Sequence, residues 1–463
     1  MRAKSKWLAI CLVLGLVLAA CGDGGGTDET TTTAEDTPDT TAEPTDTTEG
    51  DTTDTTIDDG DMGDIATDVG VDLEAGTITV GLLADLTGVF SPLVTQIVTG
   101  HEAYWDDVNA NGGINGLEVQ LEVADTAYDG PTHVQLFEEL RGQVVAFGQS
   151  TGSPQTLAIN SGLQEQGMLA IPLTWYSGWS DPAINSNLVP HGTPYCIEAM
   201  NSIEYMVNES GLDSPTLAIV SIPGDYGLDA SAGASLAAEA LGLEVVYDGA
   251  GAVIPGDAAS YIEVGDAIAD AEPDLVYFTG IPWLGWPEVY SQAVITRGLE
   301  AKWSGAAPSW GPTYVAEGSG FADEIERDFI WGFYAQPWGG DSEGAARVRE
   351  LMTARGDAPS DFYGEGFIEA QILHEALLLA YDNGDMTQAG VLAAAKSIES
   401  IDFGGLAPSE NYVGEPNDIV QREVFILRPD PSSEAGSALV EENYVSPTAE
   451  AFEFTGACYV LEQ

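Results

Sequence analysis

The feature that most constrains the fold is a regular alternation of short apolar strands and helical segments from about residue 77 onward. The strand-like runs are TITVGLLADL, LEVQLEVADT, VVAFG, LAIPLT, TLAIVSI, LEVVYDG and DLVYFTG. Helical patterns lie between and after them, at residues 94–109, 132–142, 154–166, 196–208, 230–241, 258–271 and 288–297. Strands that are apolar on both faces are typical of parallel sheets covered by helices on both sides. The alternation therefore predicts an α/β protein with two Rossmann-like lobes, each built on a parallel central sheet.

The segment NANGGING, residues 109–116, links the first predicted helix to the second predicted strand. Gly112 and Gly113 supply the left-handed backbone on which helices often end, and Asn115 and Gly116 are turn residues. The double glycine therefore predicts a helix-to-strand joint. In open parallel sheets, ligands bind beyond the carboxyl ends of the strands, so the loops that follow the strands are the candidate site.

The N-terminus predicts a lipoprotein signal peptide over residues 1–21. Arg2, Lys4 and Lys6 precede an apolar run that ends in Leu-Ala-Ala-Cys, and the run is too short for an ordinary membrane span. The four residues resemble a bacterial lipobox, in which the cysteine, here Cys21, is acylated. The alternative is a plain secretory signal. Residues 22–75 are dominated by Gly, Thr, Pro, Asp and Glu, which predicts a disordered acidic tether.

Charge and cysteine content limit the classes of function. The 75 acidic residues outnumber 13 Lys plus Arg, and the formal net charge of −62 repels phosphate backbones, so no nucleic-acid partner is predicted. Cys11 leaves with the signal peptide and Cys21 carries the lipid. Cys196 and Cys458 remain in an oxidising compartment, where a disulfide between them is predicted. Two buried free thiols are the alternative.

Several motifs, in this order, resemble the type I periplasmic binding proteins of ABC transporters, in the branch of the branched-chain amino acid (leucine-binding) receptors. They are GLLADLTGVFS, NANGGINGLEVQLEVADTAYD, FGQSTGS, GMLAIPLTW, GDYGLDASAGASLAAEALGLEVV, AEPDLVYFTG and FIEAQILHEALLLAYDNGD. The resemblance spans about residues 77–430 and implies two lobes joined by three hinge crossings, which close over a small ligand. The N-terminal lobe would comprise residues 76–192 and 335–421, and the C-terminal lobe residues 193–334 and 422–463.

The resemblance also implies the ligand site. The loop after the third strand would present hydroxyl and N–H groups to a ligand carboxylate, which agrees with the preference of anions for helix N-termini. The aromatic ring of the tyrosine-glycine loop would cover the ligand. The implied ligand-binding residues are Gln149, Ser150, Thr151, Ser153, Thr174, Trp175, Tyr176, Asp225, Tyr226, Ile281, Trp283 and Ser309.

The implied ligand is a small polar or amphipathic molecule, such as an amino acid or an amide. The family usually holds a ligand ammonium with an acid from the second lobe, but SGAAPSWG at the matching position carries none. Asp225 or Glu365 could replace that acid. Aromatic residues are frequent in the loops, which suits an apolar or aromatic ligand group. The implied partners are an ABC permease and its ATPase subunits, and the protein is expected to be a monomer.

Two other functions are weaker. Gly148-Gln149-Ser150-Thr151-Gly152 satisfies the nucleophile-elbow pattern of serine hydrolases. A hydrolase also needs a later acid and then a histidine, but the only histidines after Ser150 are His191, at the expected first crossing, and His374, within a helical pattern. No catalytic residue, metal site or cofactor is predicted, and His101, on the apolar face of the first predicted helix, is expected to be a packing residue rather than a ligand. A sensory ligand-binding module of the same fold is the other alternative.

Overall fold

The computed structural model describes residues 65–461. The strands are β1 Ala66–Thr67, β2 Val71–Asp72, β3 Thr77–Ala84, β4 Glu118–Asp125, β5 Ala146–Thr151, β6 Ala170–Leu173, β7 Thr216–Ser221, β8 Glu244–Gly249, β9 Leu275–Thr279, β10 Lys302–Gly305, β11 Phe329–Phe333, β12 Asp385–Met386, β13 Val424–Pro429 and β14 Ser437–Tyr444. The helices are α1 Ser91–Ala110, α2 Gly130–Leu140, α3 Ser153–Gln166, α4 Tyr195–Ser210, α5 Asp225–Leu241, α6 Ala258–Ala271, α7 Trp286–Tyr290, α8 Ala322–Asp328, α9 Glu343–Arg355, α10 Tyr363–Asp382, α11 Gln388–Ala395, α12 Pro416–Ile419 and α13 Pro447–Ala451.

The strands form two principal sheets, which confirms the predicted α/β class with two lobes. The first lobe is built on the order β2-β3-β5-β6, with β4 also paired to β3. The second lobe is built on the order β14-β13-β11-β10-β9-β7-β8. The central pairs are parallel, but β2–β3, β11–β13 and β13–β14 are antiparallel. The predicted parallel central sheets are therefore confirmed, and antiparallel pairs occur at the sheet margins, where β13 and β14 form a hairpin.

The chain passes between the two sheets three times. It leaves the first sheet after β6, returns to the first lobe after β11 to form α9–α11, and enters the second sheet again at β13. Contacts within the crossings hold them together. The Thr193 hydroxyl donates to the carbonyl oxygen of Glu423 at 2.5 Å, and Gly192 N–H donates to Glu410 Oε1 at 2.8 Å. The first and third crossings therefore meet in one region, which we call the hinge.

Residues 66–72 correct the predicted tether, because they belong to the folded body. β1 pairs with β12, β2 pairs with β3, and Val71 is buried. A Cβ atom on Gly70 would lie 2.2 Å from Val145 N, so the chain runs tightly against the first sheet at this point. The signal peptide, Cys21 and the tether up to residue 64 lie outside the described residues.

Helix positions agree with the sequence patterns except at α5 and at α7, which ends at Tyr290 and continues as a π-helix over Ser291–Thr296. The predicted joint is confirmed, because α1 ends at Ala110, Gly112 and Gly113 have φ values of 107° and 65°, and β4 begins at Glu118. α5 begins at Asp225, five residues before its predicted start, because Gly224 provides the left-handed N-cap. Glycines also allow close helix packing: a Cβ atom on Gly366 of α10 would lie 2.0 Å from Ile97 O of α1.

The predicted disulfide between Cys196 and Cys458 is present. It ties the C-terminal segment, residues 452–461, to α4 of the second lobe. None of the helices within residues 65–461 has the length and apolar character needed to cross a membrane.

Candidate functional site

A small cavity of about 30 Å³ lies between the lobes, at the carboxyl ends of β5 and β6 and at the first turn of α5. This volume holds about one water molecule. We call it the head cavity. Its walls are formed by Phe90, Leu93, Val94, Tyr128, Thr151, Gly152, Leu173, Thr174, Trp175, Tyr195, Asp225, Tyr226 and Pro308.

The first-lobe wall is the N-terminus of α3 and its flanking hydroxyl groups. Gly152 has a φ of 98°, a value that glycine adopts readily, and α3 begins at the next residue. The Ser153 hydroxyl donates to Thr174 Oγ1 at 2.8 Å, and Trp179 Nε1–H donates to the same oxygen at 2.8 Å. A helix N-terminus beside fixed hydroxyl groups can bind a carboxylate.

The second-lobe wall is the first turn of α5. Tyr226 is buried, and its hydroxyl is 3.0 Å from Gly280 O and 2.9 Å from Ser309 Oγ. Ser309 is fully buried and also donates to Phe278 O at 3.2 Å. Ser309 therefore positions the Tyr226 ring through its hydroxyl group. Ser309 was predicted to contact the ligand, but it is not among the residues that line the cavity.

Asp225 is the one charged side chain among the residues that line the head cavity. Burial raises the pKa of Asp225, and the nearby Ser153 hydroxyl of the opposite lobe and the backbone N–H groups of Asp225 and Tyr226 partly offset this effect. The pKa values of Tyr128 and Tyr195 are raised well above normal by burial and also by the negative charge of Asp225. The cavity thus places a negative group in an apolar, aromatic setting, which favours a cationic ligand group.

Aromatic rings form most of the remaining wall. Phe90 packs against Tyr128 with ring centroids 4.7 Å apart, and Tyr195 packs against Tyr226 at 4.9 Å. Phe90 is positioned by Asp85, which follows β3 and accepts a hydrogen bond from Phe90 N–H at 2.7 Å. These walls suit an apolar ligand group beside the polar one.

Gln149 and Ser150 do not line the cavity, in contrast to the sequence-based interpretation. The Ser150 hydroxyl is fully buried on the other side of β5, 3.1 Å from His133 Nε2 and 2.8 Å from Thr156 Oγ1. The Gln149 amide donates to Thr151 Oγ1 at 2.9 Å. Because successive side chains of a strand point to opposite faces, Ser150 and Thr151 cannot both face the same space.

The pair of Ser150 and His133 lacks the surroundings of a catalytic pair. Both side chains are fully buried, and burial lowers the pKa of His133 to about 4. His133 Nδ1 has no hydrogen-bond partner among the described residues, so no acid orients the imidazole. His133 also precedes Ser150 in the chain, whereas the elbow pattern of serine hydrolases places the histidine after the serine.

Ser150 and Ser153 therefore give a matched pair of substitutions with opposite expected results. Ser153→Ala should weaken ligand binding by about tenfold, because it removes a hydroxyl at the N-terminus of α3, where the ligand carboxylate is expected to bind. Ser150→Ala should leave binding unchanged and lower the free energy of unfolding by about 1–2 kcal/mol, because His133 loses its partner. Calorimetry and urea unfolding measure the two quantities. Weaker binding in Ser150→Ala with normal binding in Ser153→Ala would contradict this assignment.

Tyr176 also lies away from the cavity and contacts the C-terminal segment. Its hydroxyl donates to Tyr459 O at 2.8 Å. The next residue, Ser177, donates to Asp229 of α5 at 2.5 Å and accepts from Cys458 N–H at 2.8 Å. The predicted contact between Tyr176 and a ligand is therefore not supported by its position, because the C-terminal segment covers this side chain.

Ile281 and Trp283 line a second cavity of about 230 Å³ beside the first. Ile281 is fully buried, whereas Trp283 is 41% exposed. Trp283 Nε1–H donates to Val89 O of the first lobe at 2.8 Å, so this tryptophan bridges the lobes.

Glu365 does not reach the head cavity, so Asp225 is the better candidate to hold an ammonium group. Glu365 is fully buried in the hinge, where its Oε2 lies 3.8 Å from His191 Nδ1. Beside it, Glu369 of α10 contacts two buried histidines, with Oε2 2.9 Å from His101 Nε2 and Oε1 3.1 Å from His191 Nε2. Burial lowers the pKa of both histidines to about 3 and raises that of Glu369. The expectation that His101 is a packing residue is confirmed.

Glu369→Ala should lower the free energy of unfolding by about 3 kcal/mol. The substitution leaves the Nε2 groups of His101 and His191 buried without a partner, at about 1–3 kcal/mol each, partly relieved by water in the vacated space. Glu375→Ala, on the same helix but only partly buried, is the control and should have a small effect. Urea unfolding measures both. If the two variants have the same free energy of unfolding, the contacts of Glu369 with His101 and His191 do not contribute measurably to stability.

Several cavity residues were not predicted from the sequence: Phe90, Leu93, Val94, Tyr128, Tyr195 and Pro308. Phe90 belongs to the motif GLLADLTGVFS, which could have indicated it. Tyr128 follows β4 and has a φ of 56°. The sequence did not indicate this left-handed backbone conformation. Among residues 65–461, no group of three or more His, Cys, Asp or Glu side chains is arranged to hold a metal ion.

Comparisons with known proteins agree with this architecture. The model of the periplasmic binding protein family matches residues 77–434. The Leu/Ile/Val-binding protein BraC3 of Rhizobium johnstonii is 28% identical over 214 residues, which are 44% of this chain and 54% of that protein, so the match spans about half of the relative.

Two solved structures share the fold. A fatty acid ABC transporter substrate-binding protein from Thermomonospora curvata is 25% identical, with a TM-score of 0.75 over 84% of this chain and 97% of that one. A branched-chain amino acid ABC transporter protein from Thermus thermophilus, with bound valine, is 20% identical, with a TM-score of 0.67 over 81% and 97%. With two sheets, three crossings and a cavity between the lobes, the chain belongs to the type I periplasmic binding proteins of the branched-chain amino acid family.

Proposed function

We propose that this protein is the ligand-binding subunit of an ABC importer and captures an α-amino acid with an apolar side chain between its lobes. The observation that carries the proposal is the head cavity, where Asp225 faces the N-terminus of α3 within aromatic walls. The similar proteins are solute-binding proteins rather than enzymes, which supports a binding function.

The two polar walls match the two charged groups of an amino acid. The ligand ammonium would contact Asp225, and its carboxylate would contact the N–H groups at the start of α3 together with Thr151. The apolar side chain would lie against Phe90 and Trp175. The cavity of about 30 Å³ is too small for an amino acid, so the lobes would separate at the hinge before the ligand enters.

The proposal includes the expected partners and location. A permease and its ATPase subunits would receive the ligand from the monomeric protein. An acylated Cys21 would anchor the chain outside the cell membrane, and the acidic segment up to residue 64 would hold the folded body away from the envelope. The extracytoplasmic location is supported by the family, and the lipid anchor by the sequence of residues 18–21 alone.

A fatty acid is the second candidate ligand. The similarity to the Thermomonospora curvata protein and the apolar cavity of about 230 Å³ beside the head cavity favour it. The charge of Asp225 opposes it, because a second carboxylate in the head cavity would be repelled unless one of the two groups is protonated. We therefore prefer the amino acid.

A thermal-shift screen of amino acids, amides, short peptides and fatty acids tests the proposal. A ligand present at about 100 times its Kd stabilises the folded protein by about 2.7 kcal/mol, so true ligands should raise Tm by several degrees. We expect apolar amino acids to raise Tm most. A shift with fatty acids alone, or with no member of the screen, would reject the amino acid assignment.

A further inference from the structure

The cavity of about 230 Å³ beside the head cavity is apolar and also lies between the lobes. We call it the tail cavity. Its first-lobe wall includes Pro92 and Phe362, and its second-lobe wall includes Ile281, Pro282 and Trp283. Phe90, Leu93 and Pro308 line both cavities, so these side chains form a wall that the two spaces share.

We propose that the tail cavity binds the far end of the ligand's apolar side chain, so that the protein prefers unbranched or aromatic amino acids longer than leucine. The inference rests on the proposed function and names its substrate class. Because Phe90 and Leu93 belong to the first lobe and Pro308 to the second, separation of the lobes opens the wall between the cavities. A ligand whose charged groups lie at Asp225 can then extend into the tail cavity as the lobes close.

The chemistry of the tail cavity disfavours a second anionic group on the ligand. The one ionisable side chain in its wall is Asp361, whose Oδ1 accepts a hydrogen bond from Trp338 N–H at 2.7 Å. Asp361 is itself buried, and burial raises the pKa of its carboxyl group to about 6. No Lys or Arg among residues 65–461 lines the tail cavity. The space therefore suits hydrocarbon.

The volume of the tail cavity limits the size of the ligand side chain that it can hold. An apolar cavity of about 150 Å³ in a protein core is sufficient for benzene, which has six carbon atoms. The tail cavity is larger, at about 230 Å³, and it adds to the space of the adjoining head cavity. A linear side chain of about six carbons, or an aromatic ring on a short linker, would fit.

Calorimetric titration with norvaline, norleucine, 2-aminoheptanoate and 2-aminooctanoate tests the inference. Each methylene that enters an apolar cavity should tighten binding by about fourfold. Gln96→Phe would fill the tail cavity from α1, where Gln96 lines its wall, and Thr95→Phe on the exposed side of the same helix is the matched control. Thr313→Phe, at an exposed position on the opposite wall, repeats the test without changing α1.

The inference predicts that affinity rises along the series in the unsubstituted protein and in Thr95→Phe. In Gln96→Phe and Thr313→Phe the gain should disappear for the longer ligands, while norvaline binds within about twofold of its original affinity. If the unsubstituted protein binds the ligands longer than norvaline more weakly than norvaline, the proposed role of the tail cavity is wrong. The proposed function would then still stand. If affinity rises equally along the series in the unsubstituted protein and in all three variants, the ligand side chain does not enter the tail cavity. If none of the four ligands binds, the proposed function fails as well.

Discussion

Replacing Asp225 by asparagine should weaken the binding of an apolar amino acid by about a hundredfold. Asp225 is 7% exposed and is the one charged side chain among the residues that line the head cavity. Removing one member of a buried, hydrogen-bonded charge pair costs about 2–5 kcal/mol, and about 2.7 kcal/mol corresponds to a hundredfold change in Kd. Asparagine has nearly the same shape, so the comparison isolates the charge.

Glu239→Gln provides the control for Asp225→Asn. It makes the same change of charge on the same helix, but Glu239 is exposed and does not line the cavity. Calorimetry should show normal affinity for Glu239→Gln and urea unfolding should show normal stability for both variants. If Asp225→Asn binds the amino acid as tightly as the parent, the ammonium group contacts some other residue and the assignment of the head cavity is wrong.

Removing the disulfide should have the largest effect on stability. Cys196 and Cys458 are 262 positions apart, so the bond closes a very long loop. In the loop-entropy description, a disulfide that closes about 100 residues stabilises the folded state by about 4.7 kcal/mol, and longer loops give slightly more. We expect Cys458→Ser to lower the free energy of unfolding by about 4–5 kcal/mol. The C-terminal segment would also lose its fixed position beside Tyr176 and Ser177.

A reducing agent supplies the control for the disulfide. Urea unfolding of the parent protein in reductant should reach the stability of Cys458→Ser, because both then lack the bond. Reductant should leave Cys458→Ser unchanged. If the parent protein has the same free energy of unfolding with and without reductant, the disulfide does not stabilise the folded state by constraining the unfolded chain. This prediction would then be wrong.

The fold could be predicted from the sequence because its signals are local and regular. Apolar runs such as TLAIVSI and the double glycine at 112–113 depend on neighbouring residues only, and β7 and the end of α1 formed where these patterns indicated. Strands β10–β14 were not predicted individually. β10 has only four residues, and β13 and β14 form an antiparallel hairpin that the strand–helix alternation does not indicate.

The site could be predicted only to the level of its loops. The loop at 149–153 was identified, but the direction of each side chain depends on the alternation within β5, which turns Ser150 away and Thr151 toward the ligand. Tyr176 is covered by a segment 283 positions further along the chain. Such a contact depends on tertiary structure, and no pattern near Tyr176 indicates it.

Calorimetric titration of the protein with norleucine and with hexanoate tests the central claim most directly. Hexanoate has the carbon chain and the carboxylate of norleucine but lacks the ammonium group, so the difference in affinity measures what Asp225 contributes. We predict that norleucine binds and that hexanoate binds at least about a hundredfold more weakly, since a buried carboxylate then lacks its cationic partner. Hexanoate binding as tightly as norleucine, or more tightly, would contradict an amino acid site and favour a receptor for fatty acids.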